Sequence, residues 1–205
     1  MIRQNYIQKS CRVADNRVYL NGKVCFEAAD LDFSAFAKQA FKAKNAAYPK
    51  FYKMDALSRL AVLAAEYLLA DEVTDELALV LANRSGSLDT DVQHQQTIQD
   101  EQQFFPSPAT FVYTLANICA GEISIRHSLQ TEQVFFVAET YPVETIAAYA
   151  AYLLASQKAK RVLCGWVEFF EGNYEAVLYI VGQHGEQQHI AENIAPLFCE
   201  KEGLV

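Results

Sequence analysis

The sequence predicts an α/β fold, a mixed sheet packed by helices, and three observations carry that reading. Leu77–Ala82 (LALVLA) is a short unbroken apolar run, the pattern of a strand buried on both faces. Asp55–Leu69 (DALSRLAVLAAEYLL) repeats apolar residues at three- and four-residue spacing, behind Asp55 as a helix cap. Arg161–Phe170 and Tyr174–Gly182 are apolar runs that meet across Gly172-Asn173 as a hairpin. Strands alternating with helices and closing on a hairpin make a mixed sheet, and right-handed crossovers layer the helices on it.

The remaining elements follow in order. Residues 1–30 hold short alternating pieces with Asn21-Gly22 between apolar neighbours, a further hairpin. Asp32–Lys44 reads as a helix, which Pro49 ends. After Leu77–Ala82, the stretch SGSLDTD turns into a glutamine-rich helix over Thr90–Gln102. Beyond Pro106 and Pro108 a helix spans Phe111–Leu129, then a strand Gln133–Ala138 and a helix Val143–Gln157. Residues 183–205 are mainly polar and close with a short helix over Ala191–Phe198. No repeat or Gly/Ser linker divides the chain, so residues 1–205 read as one domain.

Composition removes several function classes. The 17 Lys+Arg against 25 Asp+Glu give a net charge of −8. Such a surface repels phosphate backbones and anionic lipids, so neither nucleic acid nor a membrane surface is an expected partner. The amino terminus has no apolar h-region, and Ile146–Ala155 is too short to span a bilayer, so a cytoplasmic location is expected. Cys11, Cys25, Cys119, Cys164 and Cys199 are odd in number and scattered, as reduced structural thiols would be. No GxGxxG, P-loop, GxSxG, CxxC or HExxH is present, so no cofactor and no metal is expected. His184 and His189 fall in a polar tail and read as solvent-exposed; His94 and His127 read as surface residues of helices.

Four stretches, in order, carry a resemblance. YKMDALSRLAVLAAEYLL opens its helix with Lys53-Met54-Asp55, and LALVLANRSGSLDTD is a strand followed by a Gly-x-Leu-x-Thr-Asp turn. PSPATFVYTLANICAGEISIRHSLQ keeps Pro-Ser-Pro, Tyr-Thr-Leu, Asn117 and Ala120-Gly121-Glu122-Ile123. RVLCGWVEF ends in Cys164-Gly165-Trp166-Val167-Glu168. From Tyr52 to Phe169 the chain resembles the amino-terminal half of the β-ketoacyl-acyl-carrier-protein synthases, which implies a thiolase-like half fold. Read without the family, Ala116, Cys119, Ala120 and Gly121 let a helix approach a neighbouring backbone closely.

The resemblance also shows what is missing. In the family the strand after this helix leads to an elbow carrying a nucleophilic cysteine at a helix amino terminus, where the dipole favours thiolate. Here that position falls on Glu139 or Thr140, and no cysteine lies between 120 and 163. A carboxylate is a poor acyl acceptor, and Thr140 has no evident base. The two histidines that support decarboxylation belong to the family's carboxy-terminal half, which has no counterpart in these residues.

The resemblance therefore implies a non-catalytic ketosynthase-like partner subunit in fatty-acid, polyketide or aryl-polyene-type biosynthesis. It would act as a homodimer or as a heterodimer with a full-length ketosynthase. Two alternatives stand beside it: a module that binds an acyl chain or acyl-carrier protein without catalysis, and an unrelated enzyme using Glu139. A basic cluster at Lys38, Lys42, Lys44, Lys50 and Lys53 would serve the first. The strand that pairs subunits in the family corresponds to Gln133, Val134, Phe135, Phe136, Val137 and Ala138. The 145–155 helix is apolar on all sides and needs cover all round, so Tyr149, Tyr152 and Leu153 join the interface candidates.

Overall fold

A computed structural model describes residues 4–198 apart from 71, 73 and 103. Two antiparallel turns open the chain: β1 (Tyr6–Ala14), β2 (Arg17–Leu20) and β3 (Lys23–Glu27), the second turn at Asn21 and Gly22, both with positive φ. Helix α1 (Phe33–Ala43) is capped by Asp32, which accepts from the Ala35 amide at 2.8 Å. A 3-10 turn over Pro49–Lys53 is held to it by Phe51, whose ring stacks on Phe41 at 3.8 Å. Helix α2 (Ala56–Leu69) starts at Asp55, which caps the Ser58 amide at 3.0 Å.

Strand β4 (Leu77–Asn83) is buried at every position, as its apolar run requires. It is followed by α3 (Leu88–Ile98), α4 (Pro108–Val112), α5 (Ile118–His127), β5 (Gln133–Val137) and α6 (Val143–Ala155). The chain closes with β6 (Arg161–Phe170), β7 (Asn173–Gly182), a two-residue β8 (Gln187–Gln188), α7 (Ala191–Ile194) and a 3-10 turn over Ala195–Phe198. The expected helix over Phe111–Leu129 is two helices instead. Thr114 turns its hydroxyl onto the Phe111 carbonyl, and its own carbonyl accepts from Ser87, so the segment between them leaves the helical path. Helix α3 also starts earlier and ends earlier than the Thr90–Gln102 expectation, because the Phe105 amide turns back onto the Thr97 carbonyl at 2.9 Å.

Among the described residues the strands lie in the order β3-β2-β1-β7-β6-β4-β5, with β8 added beside β1. Strand β4 runs parallel to β5 and β6, and every other pair is antiparallel. The sheet is mixed, as expected.

Helices cover both faces. On one, α1, α2 and α5 pack with Leu79, Leu81, Leu163 and Leu178. On the other, α6 and the closing 187–198 segment pack with Val80, Cys164, Trp166 and Tyr179. The helix enclosed nearly all round is α2, not α6. Helix α6 buries Ile146, Ala150, Leu153 and Leu154 against the sheet and leaves Ala148, Tyr152 and Ala155 exposed. Leu153, an interface candidate, is wholly a core residue.

Candidate functional site

Parallel strands β4, β5 and β6 point their carboxyl ends at one corner, where open α/β sheets usually bind ligands. Here Glu168, Ser85 and Asn83 bond to the turn that follows β4. The Glu168 carboxylate accepts from the amides of Arg84 (2.8 Å) and Ser85 (3.2 Å) and from the Ser85 hydroxyl. Asn83 is fully buried; its amide donates to the Gly86 carbonyl at 2.8 Å and its oxygen accepts from the Gly86 amide at 2.9 Å. Gly86 has φ +58°, a conformation glycine adopts without strain. The cluster fixes a tight turn, with the Arg84 side chain exposed beside it.

Glu139 and Thr140 follow β5 at this corner and are exposed. Glu139 has no hydrogen bond or ion pair among the described residues. Among the described residues no thiol lies at this corner either. Cys11, Cys119 and Cys164 are buried in the two cores, where burial pushes their thiols well up, away from the reactive thiolate. Cys25 is exposed, on β3 at the opposite edge of the sheet, and Cys199 lies outside the described residues. Among the described residues no cluster of side chains has the makings of a metal site, and no helix is long and apolar enough to cross a membrane.

Next to the exposed pair, Tyr141 turns inward. Its hydroxyl lies 2.7 Å from that of Tyr179 on β7, which lies 3.1 Å from Nε2 of His189. Trp166 meets the Tyr141 ring edge-on at 6.2 Å, and Phe198 lies 5.2 Å from it. His189 is thus buried, contrary to its expected exposure, while His184 is exposed as expected. His94 and His127 are half-buried rather than free surface residues. Burial lowers the His189 pKa to about 4. The apolar set Ile190, Ile194, Ala195, Leu197 and Phe198 predicts that this tail folds back over the 145–155 helix in part, and Ile194, Leu197 and Phe198 do pack with it. The burial of His189 itself was hidden by its polar sequence neighbours.

Among the described residues, strand β5 is a free edge. Gln133 and Val137 are exposed, the latter at 63%, and Val134, Phe135, Phe136 and Ala138 are half-buried. A groove of about 440 Å3 runs between this edge and the α4–α5 turn, lined by Leu115, Ala116, Asn117, Ala120 and Val134 among others. Exposed Phe111, Val112 and Leu115 extend its apolar character. On the neighbouring helix Tyr152 is half exposed, and Tyr149 bonds its hydroxyl to Glu132. Of the small residues in α5, Cys119 and Ala120 are buried in the contact with α2, but a Cβ on Gly121 would meet nothing within 4 Å. A larger cleft of about 730 Å3 lies between the β1–β2 hairpin and the 184–187 loop.

No family model and no curated protein matches the sequence. Solved structures do resemble the fold. The chain is 18% identical to the ishigamide ketosynthase/chain length factor, with a TM-score of 0.66 over 90% of this chain and 64% of that one. It is 18% identical to a structure of the ketosynthase ApeO with its chain length factor ApeC from Xenorhabdus doucetiae, with a TM-score of 0.59 over 89% of this chain and 80% of that one. It is 13% identical to a β-ketoacyl synthase from Burkholderia phymatum STM815, with a TM-score of 0.60 over 89% of this chain and 59% of that one. The fold is thiolase-like, and the chain spans about two thirds of the length of the first of these.

Proposed function

We propose that this chain is a non-catalytic ketosynthase-like partner subunit, which associates through the β5 edge with a full-length ketosynthase or with a second copy of itself. The observation that carries the reading is the corner after β5. The resemblance puts a nucleophilic thiol there, and this chain has exposed Glu139 and Thr140 instead. Two of the solved structures with this fold pair a ketosynthase with a chain length factor, which favours a partner role. The apolar edge and groove offer the surface such a role needs. Affinity capture from the native host tests the proposal: a full-length ketosynthase should co-purify in equal amount with the wild type and be lost from Val137→Lys. Capture of no ketosynthase, together with a monomeric purified protein, would remove this reading.

One feature favours a second reading, that the chain also holds an acyl-carrier protein. Residues 33–54 contain five lysines and no acid, in a chain of net charge −8. Lys38, Lys42 and Lys53 are exposed on α1 and the 3-10 turn beside it; Lys50 pairs with Glu122 at 2.7 Å, and Lys44 lies over the Tyr67 ring at 5.2 Å. Such a patch suits an acidic protein surface. Titration with an acyl-carrier protein should show salt-sensitive binding that Lys38→Glu with Lys42→Glu abolishes.

A further inference from the structure

The carboxy-terminal segment after β7 returns over the α6-side face of the sheet. Gln187 and Gln188 pair with Ile7 and Tyr6 of β1, and the His189 amide donates to the Asn5 carbonyl at 2.8 Å. Asn193 donates to the Gln188 carbonyl at 2.9 Å, Ile194 is fully buried, and Phe198 rests against Tyr141. Gln187, Pro196 and Leu197 also form one wall of the 730 Å3 cleft. Among the described residues, two bridge pairs, the His189 amide and imidazole and three apolar side chains hold the segment, a small set compared with the strands beneath it.

We infer that residues 187–198 form a strap latched by His189 through Tyr179 to Tyr141, and that acidification releases the strap and the β5–α6 corner together. The groups around the imidazole set this behaviour. From β7 comes the Tyr179 hydroxyl, with the Tyr141 hydroxyl beyond it; from β6 comes Cys164, a neutral thiol near both tyrosines. On β1, Lys9 and Arg12 are engaged by Glu72 and Glu175. Glu186, Glu192 and α6's Glu144 are exposed, and none of them pairs with His189. An imidazolium formed in place would be a buried cation with no carboxylate paired to it among the described residues, whereas a lifted strap would put it in water. With a pKa lowered from 6.5 to about 4, His189 supports the closed strap fully above pH 6.5 and opposes it increasingly as the pH falls toward 4. The open population should then rise about 30-fold between about pH 7.5 and about pH 5. Because Tyr141 ends the chain of bonds, the corner holding Glu139 should loosen with the strap.

Hydrogen exchange read by mass spectrometry, corrected for intrinsic rates, tests this on the intact chain. Peptides over 187–198 and 138–142 should lose protection together on acidification while β6 and β7 keep theirs. His189→Gln should remove the pH dependence whether or not it leaves the strap closed. Proton NMR of the unmutated protein gives a measurement free of any folding defect: the His189 imidazole should titrate far below its ordinary value. A normal titration midpoint, an unchanged pH dependence in His189→Gln, or exchange rising equally across the sheet would overturn the inference.

Discussion

Arg126 of α5 forks onto Glu66 of α2, with Nε 2.9 Å from one carboxylate oxygen and Nη2 2.7 Å from the other. Glu66 is nearly buried, and the guanidinium also lies 5.0 Å from the Tyr48 ring, so the pair ties three elements together. That hydrogen bonding, first of all, holds the Arg126 pKa up. Removing the cation alone strands a carboxylate in the core. Arg126→Leu should lower unfolding free energy by about 3 kcal/mol, and adding Glu66→Leu should recover much of the loss. Urea unfolding of the two variants checks the order; a double variant weaker than the single would refute it.

Two glycines should behave oppositely. Gly165 sits on β6 opposite Leu178 of β7, where a Cβ would fall 2.6 Å from Leu178 Cδ2 and 3.0 Å from its Cα. Gly165→Ala must push two central strands apart and should cost about 2 kcal/mol or more. Gly121→Ala fills open space in a helix and should gain up to ~1 kcal/mol. Thermal unfolding of the pair measures both, and equal signs would contradict the packing described.

Thiol chemistry follows burial. Cys25 is the exposed thiol of the four described, whereas Cys11, Cys119 and Cys164 are enclosed. Ellman's reagent on native protein should label Cys25 first and the three buried thiols only on unfolding. Denatured, unreduced protein should titrate as five free thiols. A deficit of two would mean a disulfide and would overturn the expectation of reduced cysteines.

The strands and α2 were legible because one-dimensional patterns report burial directly: LALVLA is buried throughout, and Asp55 caps the helix it precedes. The break between α4 and α5 was not, since it rests on Thr114 and on Ser87, which is far away in sequence. Nor was the relay Tyr141–Tyr179–His189, whose members lie on three separate segments and share no local pattern. Helix α6 misled for a related reason. Alanine and tyrosine read as apolar all round, yet Ala148 and Tyr152 tolerate water well enough to face outward.

That outward face bears on catalysis and on association differently. For catalysis it is irrelevant, and the isolated chain with acyl and malonyl carrier thioesters should give no condensation product and no acylated protein. A stable acyl adduct on any residue, seen by mass spectrometry, would contradict the reading of Glu139 and Thr140 as unreactive.

For association the edge of β5 decides. An unpaired strand edge carries a row of unmatched amides and carbonyls, and proteins that leave such edges free guard them with lysine, proline or a bulge. Described residues 133–137 of β5 contain none of these: the strand reads QVFFV, with Val137 63% exposed. Beside it lies the groove that runs to Leu115, itself 55% exposed, so pairing the edge would also cover apolar surface. Two copies related by a two-fold axis along this edge would satisfy both demands at once. Light scattering of the purified protein at micromolar concentration should therefore give twice the 23.0 kDa chain mass. Val137→Lys adds a charge where the side chain already meets water, so it should leave the fold intact and yield the monomer. A monomeric wild type, or a dimer indifferent to Val137→Lys, would place the association surface elsewhere or nowhere.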